Sequence, residues 1–292
     1  MQQRRTLLTL LAMLPAAARA QGSPGSTLNI LASFTILADF ARAIGGARLR
    51  VASLVGPNQD AHRYQPRPSD LRAVTGAAVM ISNGLGYEGW VERLVRSAGF
   101  KGVAVVASTS VAPLRIGAAP DPHAWQDVAN AKIYVGNIRD ALSAADPAHA
   151  AQYAAGADAY LAQLQQLDAE MRAAWAQIAR ATRRIVTSHD AFTYYGAAYG
   201  VDFFAPQGIA EGSDPTPRQL AALIAQIRTQ NIRALFVESI SNAQILRQVA
   251  RETGVRIGPA VYSDALSDPT GPAGSYLDMM RHNTRSFIGA LG

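Results

Sequence analysis

Three histidines in this chain have contexts in which an imidazole can bind a metal ion. His62 and His123 lie in predicted loops, and His189 ends a predicted strand. In open α/β sheets, ligands bind in the crevice beyond the carboxyl ends of the strands, so these histidines, from both halves of the chain, can face a shared cleft. Any one of them taken alone fits a hydrogen-bonded structural histidine better.

Two carboxylates occupy similar positions. Asp264 follows a strand predicted over 256–262, where an aspartate is usually a helix N-cap. Glu238 ends a strand predicted over 234–238, where it either enters the cleft or remains a solvated or helix-dipole carboxylate. Two further histidines have helix-surface contexts and are interpreted as structural: His149 and His282.

The composition excludes several classes of protein. With 292 residues, 49% of them hydrophobic and 16% charged, the chain is long enough for two domains and is neither disordered nor fibrous. It contains no cysteine, which excludes disulfides, iron–sulfur clusters, thiolate zinc sites and a cysteine nucleophile. It also excludes a lipidated cysteine at the N-terminus, so we expect that the protein is not a lipoprotein.

The first 20 residues have the pattern of a cleavable signal peptide. Arg4 and Arg5 precede an apolar run at 6–14, and Ala18-Arg19-Ala20 fits the small-x-small cleavage pattern. The arginine pair leaves Sec and twin-arginine export open, and the segment could instead form an N-terminal amphipathic helix. A flexible leader is predicted over 21–26. We therefore expect a periplasmic protein.

Half of the formal positive charge belongs to that segment. The formal net charge of +6 falls to +3 when residues 1–20 are removed, since 24 basic residues then face 21 acidic ones. No basic cluster with interleaved aromatic residues remains, so we expect no nucleic-acid partner. No other apolar run reaches about 18 residues, so no membrane-spanning helix is expected.

Strands alternate with helices on both sides of one long helical segment. Over 148–180, apolar residues recur at steps of three and four, which predicts an amphipathic helix about 45 Å long. A coiled coil would share this spacing, but the charged heptad edges are missing. The chain is therefore predicted to be an α/β protein in which two similar lobes with mainly parallel sheets are joined by one long rigid helix. The predicted boundaries are 27–147, 148–181 and 182–292.

The individual elements follow from the same patterns. In the first lobe, strands are predicted over 28–34, 50–55, 78–82 and 103–107, with helices over 35–44, 68–75 and 88–98. In the second lobe, strands are predicted over 184–188, 201–205, 234–238 and 256–262, with helices over 191–199, 216–229, 243–253 and 275–291.

Five motifs in sequence order make a resemblance specific. The chain resembles the solute-binding proteins of ABC importers for zinc and manganese, of the ZnuA/TroA type, over essentially all of the sequence after residue 20. The motifs are Asp60-x-His62-x-Tyr64-x-Pro66-x-Pro68-Ser69-Asp70, Asn83-Gly84-Leu85-Gly86-Tyr87-Glu88-x-Trp90, Asp121-Pro122-His123-x-Trp125, Ser188-His189-Asp190-Ala191-Phe192-x-Tyr194 and Tyr262-Ser263-Asp264-x-Leu266-Ser267.

The resemblance implies a function and a ligand set. It implies two α/β lobes with a metal ion between them, ligated by His62, His123, His189 and Asp264, and delivery of that metal to a membrane permease. We expect a monomer and no enzymatic activity. The stretch 116–121 lacks the histidine-rich loop of many zinc-specific members, whereas His189 stands where manganese members usually have a glutamate.

The donor chemistry favours zinc over manganese. Three imidazoles and one carboxylate make a site of borderline softness, whereas manganese prefers harder oxygen ligands. Asp264 as the only charged ligand would leave a bound divalent ion with one net positive charge.

Three different functions compete with metal transport. A periplasmic zinc hydrolase is the main one, and it would need an open coordination position and a general base; the chain has no His-Glu-x-x-His motif. A receptor for an organic solute would need aromatic or arginine contacts to its ligand in place of convergent histidines. A surface adhesin is the third, and the absence of a cysteine for a lipid anchor disfavours it.

Overall fold

The computed structural model describes residues 27–208 and 215–292. The predicted signal peptide and leader lie outside the described residues. Within them, the chain forms two four-stranded parallel sheets flanked by helices, which confirms the predicted fold class.

The first lobe contains a sheet in the order β2-β1-β3-β4, in which every neighbouring pair is parallel. Its two central strands are rich in Val, Ile and Leu and largely buried on both faces, whereas the two edge strands alternate more buried and more exposed residues. The elements are β1 (Leu28–Ala32), α1 (Thr35–Gly45), β2 (Leu49–Ser53), α2 (Pro68–Thr75), β3 (Val79–Ser82), α3 (Val91–Ser97), β4 (Val103–Val106), a hairpin of β5 (Arg115–Ile116) and β6 (Ala119–Pro120), and α4 (Val128–Ala145).

The second lobe repeats that strand order. Its sheet reads β8-β7-β9-β10, so the first strand in sequence again lies between the second and the third. The elements are β7 (Arg184–Val186), α6 (Thr193–Tyr199), β8 (Asp202–Phe204), α7 (Pro217–Thr229), β9 (Ala234–Leu235), α8 (Gln244–Thr253), β10 (Arg256–Ile257) and α9 (Tyr276–Leu291).

Helix α5 (Ala150–Ala176) connects the lobes and packs against both. Its 27 residues correspond to about 40 Å, close to the predicted length. It lies against α1 and α4 of the first lobe and against α6 and α9 of the second. The crossing with α1 is close, because a Cβ at Gly156 would stand only 2.0 Å from the carbonyl oxygen of Ile44. Only glycine allows that approach.

Several predicted elements differ from the structure. Helix α4 was not predicted, although Asp127 caps it and its buried residues repeat at steps of three and four. The hairpin β5–β6 was not predicted either. The strand predicted over 256–262 is only the two residues of β10, followed by an isolated parallel bridge between Glu238 and Val261. Both residues of β10 are exposed, so burial of apolar side chains does little to extend its pairing with β9.

The buried hydrophobic residues form two clusters of unequal size. The larger one, here called the main core, includes both faces of the central strands of the first sheet, one face of the second sheet, and residues of α1, α4, α5 and α9. The smaller one, here called the outer core, lies between the other face of the second sheet and α7 and α8. None of the helices within 27–208 and 215–292 is long and apolar enough to cross a bilayer.

Candidate metal centre

The four predicted ligands meet between the lobes. One side-chain donor atom from each of His62, His123, His189 and Asp264 lies within 4.8 Å of the other three. The side chains of His123, His189 and Asp264 are fully buried, and that of His62 is 7% exposed. The structure therefore brings together residues that the sequence separates by up to 202 positions.

The distances among the donor atoms have the size of the edges of a small coordination polyhedron. The Nε2 atoms of His62 and His123 are 3.2 Å apart, and Asp264 Oδ2 lies 3.4 Å from the Nε2 atoms of both His62 and His189. Asp264 Oδ1 lies 3.5 Å from His123 Nε2. Donors around a tetrahedral zinc with bonds of 2.0–2.1 Å are about 3.3–3.4 Å apart. These four side chains therefore have room for one ion among them.

A buried aspartate orients His123. Asp121 Oδ1 lies 2.7 Å from the Nδ1 atom of His123 and accepts a hydrogen bond of 2.9 Å from its backbone N–H. A carboxylate at Nδ1 fixes the tautomer that leaves Nε2 free as a ligand and makes that nitrogen more basic. In the sequence, Asp121 stands out only as part of a motif, and this contact was not predicted.

Glu238 places a second buried carboxylate beside His189. Its Oε2 atom lies 2.7 Å from His189 Nδ1, and its Oε1 accepts a 3.0 Å hydrogen bond from the His189 backbone N–H. Glu238 is 1% exposed, so it enters the cleft and is not a solvated carboxylate. The residues follow β7 and β9, neighbouring strands whose carboxyl ends meet at the same edge of the sheet.

His62 is held differently from the other two histidines. Its backbone N–H donates a 2.7 Å hydrogen bond to Asp60, and its ring meets Tyr87 edge to face at 4.3 Å between centroids. No carboxylate within the described residues occupies its Nδ1. It is therefore the least buried and least constrained of the predicted ligands.

The loop that carries Asp264 is bonded to the opposite lobe. Trp125 Nε1 and Gln126 Nε2 both donate to the carbonyl oxygen of Ser263, at 2.9 and 2.8 Å. The backbone N–H of Leu266 donates to the Thr35 hydroxyl at 2.8 Å. No helix among the described residues begins at Asp264, so the N-cap interpretation does not describe its place in the fold.

The charges of the site are strongly coupled. Burial opposes the imidazolium form of His123, but Asp264 and Asp121 outweigh it and raise the pKa to about 9. The pKa of His189 is raised well above its usual value against the same burial penalty, through Glu238 and Asp264. Burial works against the ionised form of Asp264, yet the two imidazolium groups hold its pKa far below the usual range. Without metal, the site is thus stabilised by protons that a metal ion would displace.

The buried donors fit a cation. His189 Nε2 and both carboxylate oxygens of Asp264 are buried without a hydrogen-bond partner. Such atoms are costly unless something satisfies them. Asp121 and Glu238 add two buried carboxylates beside the ligands. The net positive charge that the sequence predicted for the site with a bound divalent ion is therefore wrong.

The remaining histidines are structural, as interpreted from sequence. His149 Nδ1 lies 2.9 Å from Asp146, and His282 Nε2 contacts the carbonyl oxygen of Ala260 at 2.8 Å. Neither belongs to the cluster of donors between the lobes.

Comparison with known proteins gives a single family. Residues 30–290 match the family described as ZnuA, zinc-uptake complex component A, periplasmic. The chain is 38% identical to the manganese-binding lipoprotein MntA of Halalkalibacterium halodurans. The aligned region is 268 residues long and covers 91% of this chain and 89% of that protein. It is 34% identical to the iron-binding protein YfeA of Yersinia pestis, over 98% of this chain and 94% of that protein.

A solved structure shares the fold. The periplasmic zinc-binding protein TroA from Treponema pallidum superposes with a TM-score of 0.88 at 26% identity, covering 91% of this chain and all of that one. Similarity at this level over nearly the whole chain includes both lobes and the connecting helix.

One prediction is overturned by these comparisons. We expected a periplasmic protein that is not a lipoprotein, but a relative matching 91% of this chain is named a lipoprotein. The expectation depended on the absence of cysteine from the sequence, which is too narrow a basis for assigning location.

Proposed function

Since this chain belongs to the ZnuA family of zinc-uptake complex components, we propose that it binds a divalent transition metal and delivers it to a membrane permease. Members of this family are metal-binding solute-binding proteins of ABC importers. The proposed ligands are His62, His123, His189 and Asp264. The observation that carries the proposal is the convergence of four donor side chains within 4.8 Å, three of them fully buried. We further propose that the protein acts as a monomer, with lobe boundaries near residues 147 and 181.

Zinc is the proposed substrate, with manganese next. Three neutral imidazoles and one carboxylate match the nitrogen-rich shells that zinc prefers, and manganese prefers more oxygen donors. Asp121 supports this choice, because its hydrogen bond to Nδ1 raises the basicity of the ligating nitrogen of His123. Glu238 places a carboxylate 2.7 Å from Nδ1 of His189. The relatives named above are named for manganese, iron and zinc, so the family alone does not select among them.

The family also decides between transport and catalysis. Its members are transport proteins, so the prediction that the chain is not an enzyme is confirmed, and nothing supports a hydrolase.

A competition titration tests the metal assignment. The protein is stripped with a chelator and titrated with zinc and manganese together, and we expect one ion per chain with zinc bound preferentially. X-ray absorption of the zinc form should show about four nitrogen or oxygen neighbours near 2.0–2.1 Å and no sulfur. A shell of six oxygens would contradict the three-histidine site.

Asp264→Ala tests the fourth ligand. Three histidines and a water still make a viable zinc shell, so zinc should remain bound, more weakly, while manganese loses proportionally more affinity. Asp268→Ala, an exposed aspartate on the same loop, is the matched control and should change neither metal. Unchanged affinity for both metals in Asp264→Ala would remove this residue from the ligand set.

A further inference from the structure

The segment of the first lobe between residues 63 and 101 carries a concentrated positive charge. Between residues 63 and 101, Glu92 is the single exposed acid, because Asp70 and Glu88 are both buried. The exposed basic residues are far more numerous, and the structure gives none of them an ion pair within 27–208 and 215–292: Arg63, Arg67, Arg72, Arg93, Arg96 and Lys101. An excess of charge of one sign attracts a surface of the opposite sign.

An apolar groove lies within this basic segment, between α2 and α3. It encloses about 320 Å³, the size of one or two side chains. Its floor is formed by Leu71, Trp90 and Leu94, and Arg67 and Arg93 stand on its rim. An aromatic and aliphatic floor with charged residues at the edge is the arrangement found at the centre of protein interfaces.

The groove is directly connected to the metal site. The indole N–H of Trp90 donates a 2.8 Å hydrogen bond to the carbonyl oxygen of Ala61, the residue before His62. Tyr64, two residues after His62, packs on the Trp90 ring at 5.0 Å and donates to Asp70 of α2 at 2.8 Å. A body seated on the groove therefore contacts the elements that position the most exposed of the predicted ligands.

We propose that this groove docks an acidic segment of the importer's permease, one that places an apolar side chain on Trp90 and carboxylates against Arg67 and Arg93. The inference depends on the proposed function for the existence of that partner. The positive charge around the groove identifies an acidic occupant. The connection of the groove to the loop of His62 places docking where it can influence metal release.

A second basic cluster shows what the groove adds. Arg233, Arg256 and Arg285 are exposed around another cavity, at the amino ends of β9 and β10. That end of the second lobe lies opposite the carboxyl ends of the strands, where the predicted ligands are. Its residues provide a matched control, since they allow the same change of charge on a surface away from the metal cleft.

Charge reversal tests the proposal in cells. A strain that lacks this protein but retains its permease is supplied with the wild-type chain, Arg67→Glu/Arg93→Glu or Arg233→Glu/Arg256→Glu, and uptake of radioactive zinc is measured. The groove variant should lower uptake by at least about tenfold, because like charges facing each other across an interface are strongly unfavourable. The control variant should match wild type. Zinc affinity in solution and the melting temperature should stay unchanged in both.

Two further variants separate charge from folding. Arg67→Lys/Arg93→Lys retains the charge and should retain most of the uptake, and Arg67→Gln/Arg93→Gln should give an intermediate value. Normal uptake by the groove variant would overturn the docking proposal while leaving the proposed function intact. If loss of the wild-type protein itself leaves zinc and manganese uptake unchanged, the proposed function fails and the docking proposal fails with it.

Other occupants of the groove give different results. A concentration-dependent dimer seen by analytical ultracentrifugation and lost in the groove variant would assign the groove to a second copy of this chain. Binding to phosphatidylglycerol vesicles that is lost in the same variant would assign it to lipid. Either result would overturn the permease assignment.

Discussion

The two lobes share a strand order but are stabilised differently. Strands of the first sheet are four or five residues long, and both faces of its central strands β1 and β3 lie in the main core. Strands of the second sheet have two or three residues, and its two faces belong to different cores. On β7, for example, Ile185 points into the main core and its neighbour Val186 into the outer core.

This difference indicates which part of the second lobe supports the metal centre. Residues beside the second-lobe ligands, such as Phe192 and Leu266, belong to the main core. Helices α7 and α8 cover the outer core and contact neither ligand loop through it. A small separate cluster has fewer buried contacts to lose, so this outer layer is expected to open first without disturbing the site.

Loss of a buried ligand from either lobe should have the largest effect. His123→Ala and His189→Ala each remove one nitrogen donor from a closed shell. Zinc affinity should therefore fall by more than about 100-fold, the largest loss expected when a residue that only supports a ligand is removed. His149→Ala, outside the site, is the control. Because the ligands of both lobes rest on the main core, the two losses should be similar. Competition titration measures both losses. If only one of the two variants lost zinc affinity, the ligands of the two lobes would not contribute equally.

Truncation of each core should separate stability from binding. Ile138→Ala in the main core and Ile227→Ala in the outer core both remove fully or nearly fully buried side chains and should each cost about 2–5 kcal/mol locally. Ile138→Ala should lower the global unfolding free energy. Ile227→Ala should mainly accelerate hydrogen exchange in α7 and α8 and leave zinc affinity unchanged.

Hydrogen exchange read by mass spectrometry, with metal titration of both variants, checks this contrast. If Ile227→Ala lowers zinc affinity as well as the exchange protection of α7 and α8, the outer layer supports the metal site, contrary to the expected difference between the two cores.

Removal of the supporting carboxylates should have a smaller effect on affinity. Asp121→Asn in the first lobe and Glu238→Gln in the second each weaken the orientation of one histidine, and each should reduce zinc affinity by about 10–100-fold. Asp127→Asn is the control, because this aspartate caps α4 and does not belong to the donor cluster. Wild-type affinity in both variants would show that the imidazoles are oriented by packing alone.

The smallest effect concerns the metal-free protein and pH. The pKa of His123 is raised to about 9 in the folded state, above an unfolded value near 6.5. Its stabilising contribution is therefore complete below about pH 6.5 and is lost as the pH rises through 9. Burial of the imidazolium already offsets part of that contribution, which limits its size.

The melting temperature of the metal-free protein should accordingly fall between about pH 6.5 and 9.5, and the zinc form, with neutral imidazoles, should fall less. His123→Ala should make the fall of the metal-free curve smaller, and His189, whose pKa is also raised, should account for part of the fall that remains. Burial raises the pKa of Glu88 to about 7, so this carboxyl group also titrates, mostly in the lower part of the same pH range. Parallel curves for the two forms of the wild type would contradict the protonated metal-free site.

Local patterns determined much of the fold. Helix periodicity located the long helix, and strand–helix alternation gave two parallel lobes, because both patterns repeat within a few residues along the chain. The spacing that would have revealed α4 was present as well, with buried Val128, Val135 and Leu142 on one helical face. The five motifs likewise gave the four residues that converge between the lobes.

Only the tertiary structure decided what surrounds those four residues. The contacts of Glu238 with His189, of Trp125 with Ser263 and of Trp90 with Ala61 join positions 29 to 138 residues apart. The division of the second sheet between two cores is equally non-local. Such contacts depend on how whole elements pack, and a periodic pattern specifies the buried face of a helix or strand without specifying the element that covers it.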